Sequence, residues 1–103
     1  MHLAKKVEIV ANSFELAKIL EKLDQSGVHG YTVMRNVAGK GLFSGPQDLD
    51  FTMLDGIYIM AFCLPDQVQD VVGNVRPLLN KFGGACYISD VMEVRSTKCV
   101  ASL

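Results

Sequence analysis

The run "GIYIMAFCL", Gly56 to Leu64, constrains this chain more than any other stretch. It carries no charge, is too short to span a membrane, and is bounded by Gly56 and Pro65. Such a run predicts a central strand covered on both faces. A chain of 103 residues makes one domain with a modest core. Its own helices can cover one face of a sheet. With half of its residues hydrophobic, the chain is expected to bury the other face against copies of itself.

The flanking patterns supply the rest of the sheet. Lys5 to Val10 alternates, with Val7 and Ile9 on one side and Lys6 and Glu8 on the other, which predicts a first strand. Asn12 followed by Glu15 is a capping-box pattern. Leu16, Ile19, Leu20 and Leu23 then recur at helical spacing up to Gly27, so a helix is expected over 13–26. From His29 to Ala38 the period is two again. Tyr31, Val33, Arg35 and Val37 share one face, and Thr32, Met34, Asn36 and Ala38 the other. Neither face is plainly polar, so this second strand is also expected to be buried. Pro65 and Asp66 open a second helix, with Val68, Val71, Val72, Val75, Leu79 and Phe82 on one stripe. Pro77 lies inside it and crowds the carbonyl of Gly73, so a kink or break is expected between them. Gly83 and Gly84 end the helix, Ala85 to Val94 reads as the last strand, and 96–103 as a tail.

Strand, helix, strand, strand, helix, strand is the split βαβ order. It predicts an α+β, ferredoxin-like sandwich: a four-stranded antiparallel sheet with two helices on one face. The other face, with Val33, Val37, Tyr58 and their neighbours, is left to an oligomer.

Several function classes lose support. The formal net charge of -1 argues against nucleic acid as a partner. The only aromatics on strand three are Tyr58 and Phe62, and strand one has none, which makes a poor base-stacking platform. "MHLAKKVEIV" reads as a strand broken by Glu8, not a signal peptide, so a cytoplasmic protein is expected. Cys63, Cys86 and Cys99 are widely spaced, with no C-x-x-C pair. The first two sit in apolar strands as small buried hydrophobes. His29 reads as a turn residue, and Asp48, Asp50 and Asp55 as solvated loop charges without calcium-loop spacing. No catalytic constellation is present, and no enzyme, metal site or required cofactor is expected.

What remains is the segment 39–54, which has no period and holds Gly39, Gly41, Gly45 and Pro46. Irregular segments of this length in small domains tend to be functional. Gly39-Lys40-Gly41 lets backbone approach a phosphate closely, with Lys40 supplying charge. Arg35, Arg95 and Lys98 can add cations if the fold or an assembly gathers them.

"SGVHGYTVMRNVAGKG", Ser26 to Gly41, resembles the end of the first helix, the second strand and the start of the T-loop in PII signal-transduction proteins. The wording is nearest to PII-like proteins associated with bicarbonate uptake, and "YISDVMEVR" is loosely similar to the family's last strand. The resemblance implies a homotrimer with adenine nucleotides (AMP, ADP, ATP or cyclic AMP) or a small anion in clefts between subunits. It implies a T-loop-like segment, 39–54, acting on a partner protein such as a membrane transporter. By position it marks Gly30, Tyr31, Thr32, Val33, Arg35, Gly39, Lys40, Gly41, Gly83, Gly84 and Arg95 as binding residues. Two departures carry expectations. The stretch from Gly30 to the glycine pair is one residue longer than the family spacing, which predicts a bulge. "KFGGAC" lacks the family's glycine-rich, lysine-ended loop, which favours a monophosphate, diphosphate or cyclic nucleotide over ATP. No tyrosine lies between Gly39 and Leu54 to be uridylylated. The alternatives are a metal-binding trimer resembling the CutA copper-tolerance family and a small-molecule module resembling the ACT domain.

Overall fold

A computed structural model of the chain describes residues 1–38 and 56–97. Strands β1 (His2–Asn12), β2 (Tyr31–Val37), β3 (Gly56–Cys63) and β4 (Ala85–Glu93) form one antiparallel sheet. Helices α1 (Leu16–Gln25) and α2 (Val68–Phe82) connect β1 to β2 and β3 to β4. The order across the sheet is β2-β3-β1-β4. β1 is longer than its alternation predicts because β4 carries the ladder out to the His2–Glu93 pair, beyond the end of β3 at Lys5–Cys63.

One face of the sheet is sealed. Val7, Ile9 and Ala11 from β1 and Ile57, Ile59, Ala61 and Cys63 from β3 form a single buried cluster with Ile19 and Leu23 of α1 and Val71 and Val75 of α2. The two helices therefore share one face, as expected. Each fully buried aliphatic side chain there contributes roughly 1.5–3 kcal/mol. The opposite face of β3 carries Tyr58, Met60 and Phe62, which are only partly covered in the single chain. Apolar side chains on both faces are thus present, but the chain covers only one of them.

Four local readings change. β2 is not buried within the chain: Met34 is 51% exposed, and only Val33 packs against the core. β2 is an edge strand, so among the described residues one side of it meets no neighbouring strand. The expected bulge is present. Arg35 pairs with Ile57 and Val37 with Gly56, leaving Asn36 as the extra residue at φ 59°. Asparagine is among the few non-glycine residues that tolerate this left-handed conformation. The bulge turns Val37 to the open face, so it does not share a face with Arg35.

The entry to α1 is a 3-10 turn over Ser13–Glu15. Asn12 Oδ1 accepts from the Phe14 N–H at 3.2 Å. Glu15 does not complete a reciprocal box; its Oε2 is buried without a partner among the described residues. Finally, α2 runs through Pro77 as one helix, with no break. The missing N–H removes a single bond, and Val71 and Val75 of the same helix are buried in the core.

Polar contacts lock the helix ends. Ser26 Oγ donates to the Lys22 carbonyl at 2.7 Å and accepts from Asn74 Nδ2 at 2.8 Å. Gln67 Oε1 accepts from the Leu64 N–H at 2.7 Å, while its Nε2 donates to the Gly27 carbonyl at 3.2 Å. The α2–β4 turn is tightest at Gly84. Its φ is +108°, and a Cβ there would stand 2.5 Å from the Val10 carbonyl oxygen.

Gly84→Ala is therefore expected to destabilise the fold by about 2–4 kcal/mol. Gly73→Ala, in open space on α2, is expected to stabilise it by about 0.5–1 kcal/mol. Urea denaturation of both variants checks the pair; equal effects would contradict the packing described.

Candidate functional site

The ladder register spreads the resemblance-marked residues along the sheet. At one end the rows run Arg35–Ile57–Ala11 and Val37–Gly56–Asn12, with β4 beginning at the Ala85–Val10 pair. This end holds Arg35, the boundaries of the segment 39–55, and the turn Gly83–Gly84. Arg35 and the turn stand on opposite edges of the sheet, three strand spacings or about 14 Å apart. Tyr31 and Thr32, with Gly30 just before them, stand in the middle rows, Tyr31–Ala61–Val7–Ile88 and Thr32–Met60–Glu8–Tyr87, and Arg95 lies at the other end, just past Glu93. The length of β4 alone puts about 27 Å between the Gly84 end and the Glu93 end. No site within one chain can use both Gly84 and Arg95.

Each group has its own chemistry. Along β2, Tyr31, Val33 and Arg35 face the helix layer, while Thr32 and Met34 face the open side. Among the described residues no strand pairs with the outer edge of β2, an edge of the kind that can meet a ligand or a second chain. A Cβ at Gly30 would meet nothing within 4 Å, so close approach there comes from its position at the strand start, not from crowding. Gly83 is at φ 88° and its N–H donates to the Leu79 carbonyl at 2.8 Å. The turn has only two residues between Phe82 and Ala85. That is too short to wrap a triphosphate.

Arg95 is the best-defined cation. Its Nε donates to Glu93 Oε1 at 2.6 Å, and His2 Nε2 reaches the same oxygen at 2.6 Å. Partial desolvation pushes the Glu93 carboxyl up, but hydrogen bonds and charge from Arg95 and His2 outweigh it and hold it below its ordinary range. His29 lies 3.5 Å from Asp24 on the surface beyond α1, an exposed turn pair. Gly39, Lys40 and Gly41, the whole segment 39–54, Asp48, Asp50 and Asp55, and Lys98 and Cys99 in the tail lie outside the described residues.

Two features were not foreseen from sequence. A groove of about 280 Å³ runs between α2 and the edge strand β4, lined by Val72, Arg76, Leu79, Asn80, Cys86 and Ile88 among others. On the open face, Tyr58 Oη donates to Glu8 Oε2 at 2.6 Å, with Lys6 Nζ 3.9 Å from the same oxygen. The alternation of β1 signalled Lys6 and Glu8 on that face. The tyrosine looked like part of an apolar surface. Among the described residues, no group of three histidine, cysteine or acidic side chains could hold a metal ion, and no helix is long and apolar enough to cross a membrane.

A family profile described as nitrogen regulatory protein P-II matches residues 4–98. CPII, a nitrogen regulatory PII-like protein from Thiomonas intermedia K12 bound to ADP, AMP and bicarbonate, superposes with a TM-score of 0.75. It is 26% identical over 91% of this chain and 93% of that one. The same protein bound to ADP, AMP and acetate gives a TM-score of 0.78 at 26% identity, covering 91% of each chain. A PII-like signalling protein from Thermus thermophilus, at 21% identity and a TM-score of 0.68 over 88% of this chain and 91% of that one, shares the fold. The comparison with curated proteins gives no match.

The sheet also makes a ligand-independent prediction. Desolvation, with a contribution from Cys63, pushes the Cys86 thiol up to about 11 from 9.0. The Glu8 hydrogen bond, then burial and the Glu8 charge, raise the Tyr58 hydroxyl. Above pH 9 the unfolded Cys86 loses its proton before the folded one does, so the unfolded state binds fewer protons and stability falls as pH rises towards 11. Chemical denaturation from about pH 8 to about pH 11 should show this decline, with a shallower slope in Cys86→Ala.

Proposed function

The chain belongs to the nitrogen regulatory protein P-II family, and from that premise we propose that it is a cytoplasmic, homotrimeric signalling regulator. It binds an adenine nucleotide, with a small anion beside it, between subunits. The segment 39–54 of its single domain carries that state to a partner protein, for which a membrane transporter is the leading candidate. The family is regulatory, not enzymatic.

The observation that carries this reading is the separation of Arg95 from Arg35 and Gly83–Gly84 by the length of the sheet. Arg35 and Gly83–Gly84 stand at one end, Gly30–Thr32 in the middle rows, and Arg95 past the other end. In a ring of identical chains, one end of a subunit meets the opposite end of its neighbour, and the halves combine. The partly covered Tyr58, Met60 and Phe62 supply apolar surface for such an assembly.

The roles follow from side-chain chemistry. Gly39 and Gly41 admit the ligand close to backbone, and Lys40 meets phosphate as a point charge. Gly83 and Gly84 form the facing wall. From the neighbour, Arg95 brings a planar fork suited to phosphate oxygens, and Gly30, Tyr31, Thr32 and Val33 bring the outer edge of β2 to the base. The two-residue turn at Gly83 favours AMP, ADP or a cyclic nucleotide over ATP. CPII, at 26% identity, binds ADP, AMP and bicarbonate, which supports ADP, AMP and bicarbonate as the first ligands to try.

Isothermal titration with AMP, ADP, ATP and cyclic AMP, with and without bicarbonate, is the direct test. ADP or AMP is expected to bind more tightly than ATP, and no heat with any nucleotide would overturn the nucleotide assignment. Lys40→Ala and Arg95→Ala should each weaken ADP binding by about 1–3 kcal/mol. Refolding the two variants together should restore binding in part, because a mixed ring contains an interface with both halves intact. A site lying within one chain would show no such rescue.

A further inference from the structure

At the far end of β4, His2 and Glu93 are direct partners across the β1–β4 ladder. Glu93 Oε1 accepts from His2 Nε2 and from Arg95 Nε, each at 2.6 Å. Those two bonds use both lone pairs of that oxygen. The carboxylate is therefore held from one side by a neighbouring strand and engages Arg95 on the other.

The contact to Arg95 is through Nε, the side edge of the guanidinium. A bond at Nε leaves the end-on pair, Nη1 and Nη2, pointing away from Glu93. That pair is the edge that grips two oxygens of one phosphate. A free arginine must give up several rotamers to present its fork, whereas an anchored one has given them up before the ligand arrives. Glu93 also places a negative charge near an anion site, and the His2 side chain on the same oxygen shields it when protonated.

We propose that Glu93 is a positioning residue: it holds Arg95 by Nε so that the Nη fork is aimed at a nucleotide phosphate. The inference rests on the nucleotide-binding reading above and adds how the arginine is held. It makes the carboxylate's oxygen the working atom, with its charge secondary. It also makes arginine essential at 95, because a lysine ammonium at that position cannot keep the Glu93 contact and present a planar two-point fork as well.

Calorimetric titration of ADP into the wild type, Glu93→Ala, Glu93→Gln and Arg95→Lys tests this, with thermal unfolding of each alongside. Glu93→Ala should weaken ADP about five- to tenfold, the loss of one preorganised charge-assisted contact. Glu93→Gln should stay within about twofold of wild type, since its amide oxygen still accepts from Nε. Arg95→Lys should lose binding despite keeping its charge, and unfolding midpoints should stay close to wild type. Binding by Glu93→Ala equal to or tighter than wild type would make Glu93 idle or a competitor, and would overturn the proposal. A loss in Glu93→Gln as large as in Glu93→Ala would overturn it too, by assigning the effect to charge. A wild type that binds neither ADP nor AMP would remove the nucleotide reading itself, which separates that failure from failure of the variants.

Discussion

β1 hydrogen-bonds along both of its edges, to β3 on one side and β4 on the other. That double pairing buries Val7, Ile9 and Ala11 under both helices and fixes where everything else can stand. It pushes β2 and β4 to the margins of the sheet, each paired on one edge only among the described residues. It also fixes the end of the sheet at which every connection emerges. The α2–β4 turn shares an end with the boundaries of 39–55, while the residues after β4 leave from the opposite end. Separation of Arg95 from Arg35 and the Gly83–Gly84 turn is thus a property of the ladder, independent of any loop conformation.

Much of this was legible in the sequence, for identifiable reasons. The apolar run over 56–64 and the alternation of Val7 and Ile9 report burial directly, because strand side chains alternate strictly. Gly27 and Gly83 announced helix ends because positive φ is hard for other residues, and both adopt it. The bulge was legible as one residue too many between Gly30 and Gly39. The burial of β2 was not. An apolar edge strand reads the same whether its cover comes from its own chain or another, and Met34 remains exposed in the single chain. Pro77 misled because a proline's local penalty is visible in sequence, whereas the packing of Val71 and Val75 that holds α2 together is not. The contact of His2 with Glu93 joins residues distant in sequence, and only the register brings them together.

The open face is less simple than its composition suggests. Glu8 sits among Tyr58, Met60 and Val10 and accepts a hydrogen bond from the tyrosine. A carboxylate entering an interface needs partners already in place, since leaving it bare costs several kcal/mol. Tyr58 and Lys6 supply those partners from within the same chain. Apolar area then favours association, while this polar group limits which alignments of two copies are tolerated.

The extra residue at Asn36 has a consequence for how this chain can change over time. Strands communicate length errors: one residue gained or lost within a ladder turns every later side chain to the wrong face. By leaving Asn36 unpaired, β2 keeps Tyr31 to Arg35 in register with β3 whatever follows. The sheet is thereby insulated from the segment beyond it. The sequence beyond it can lengthen, shorten or change composition while β2 keeps every contact with the core.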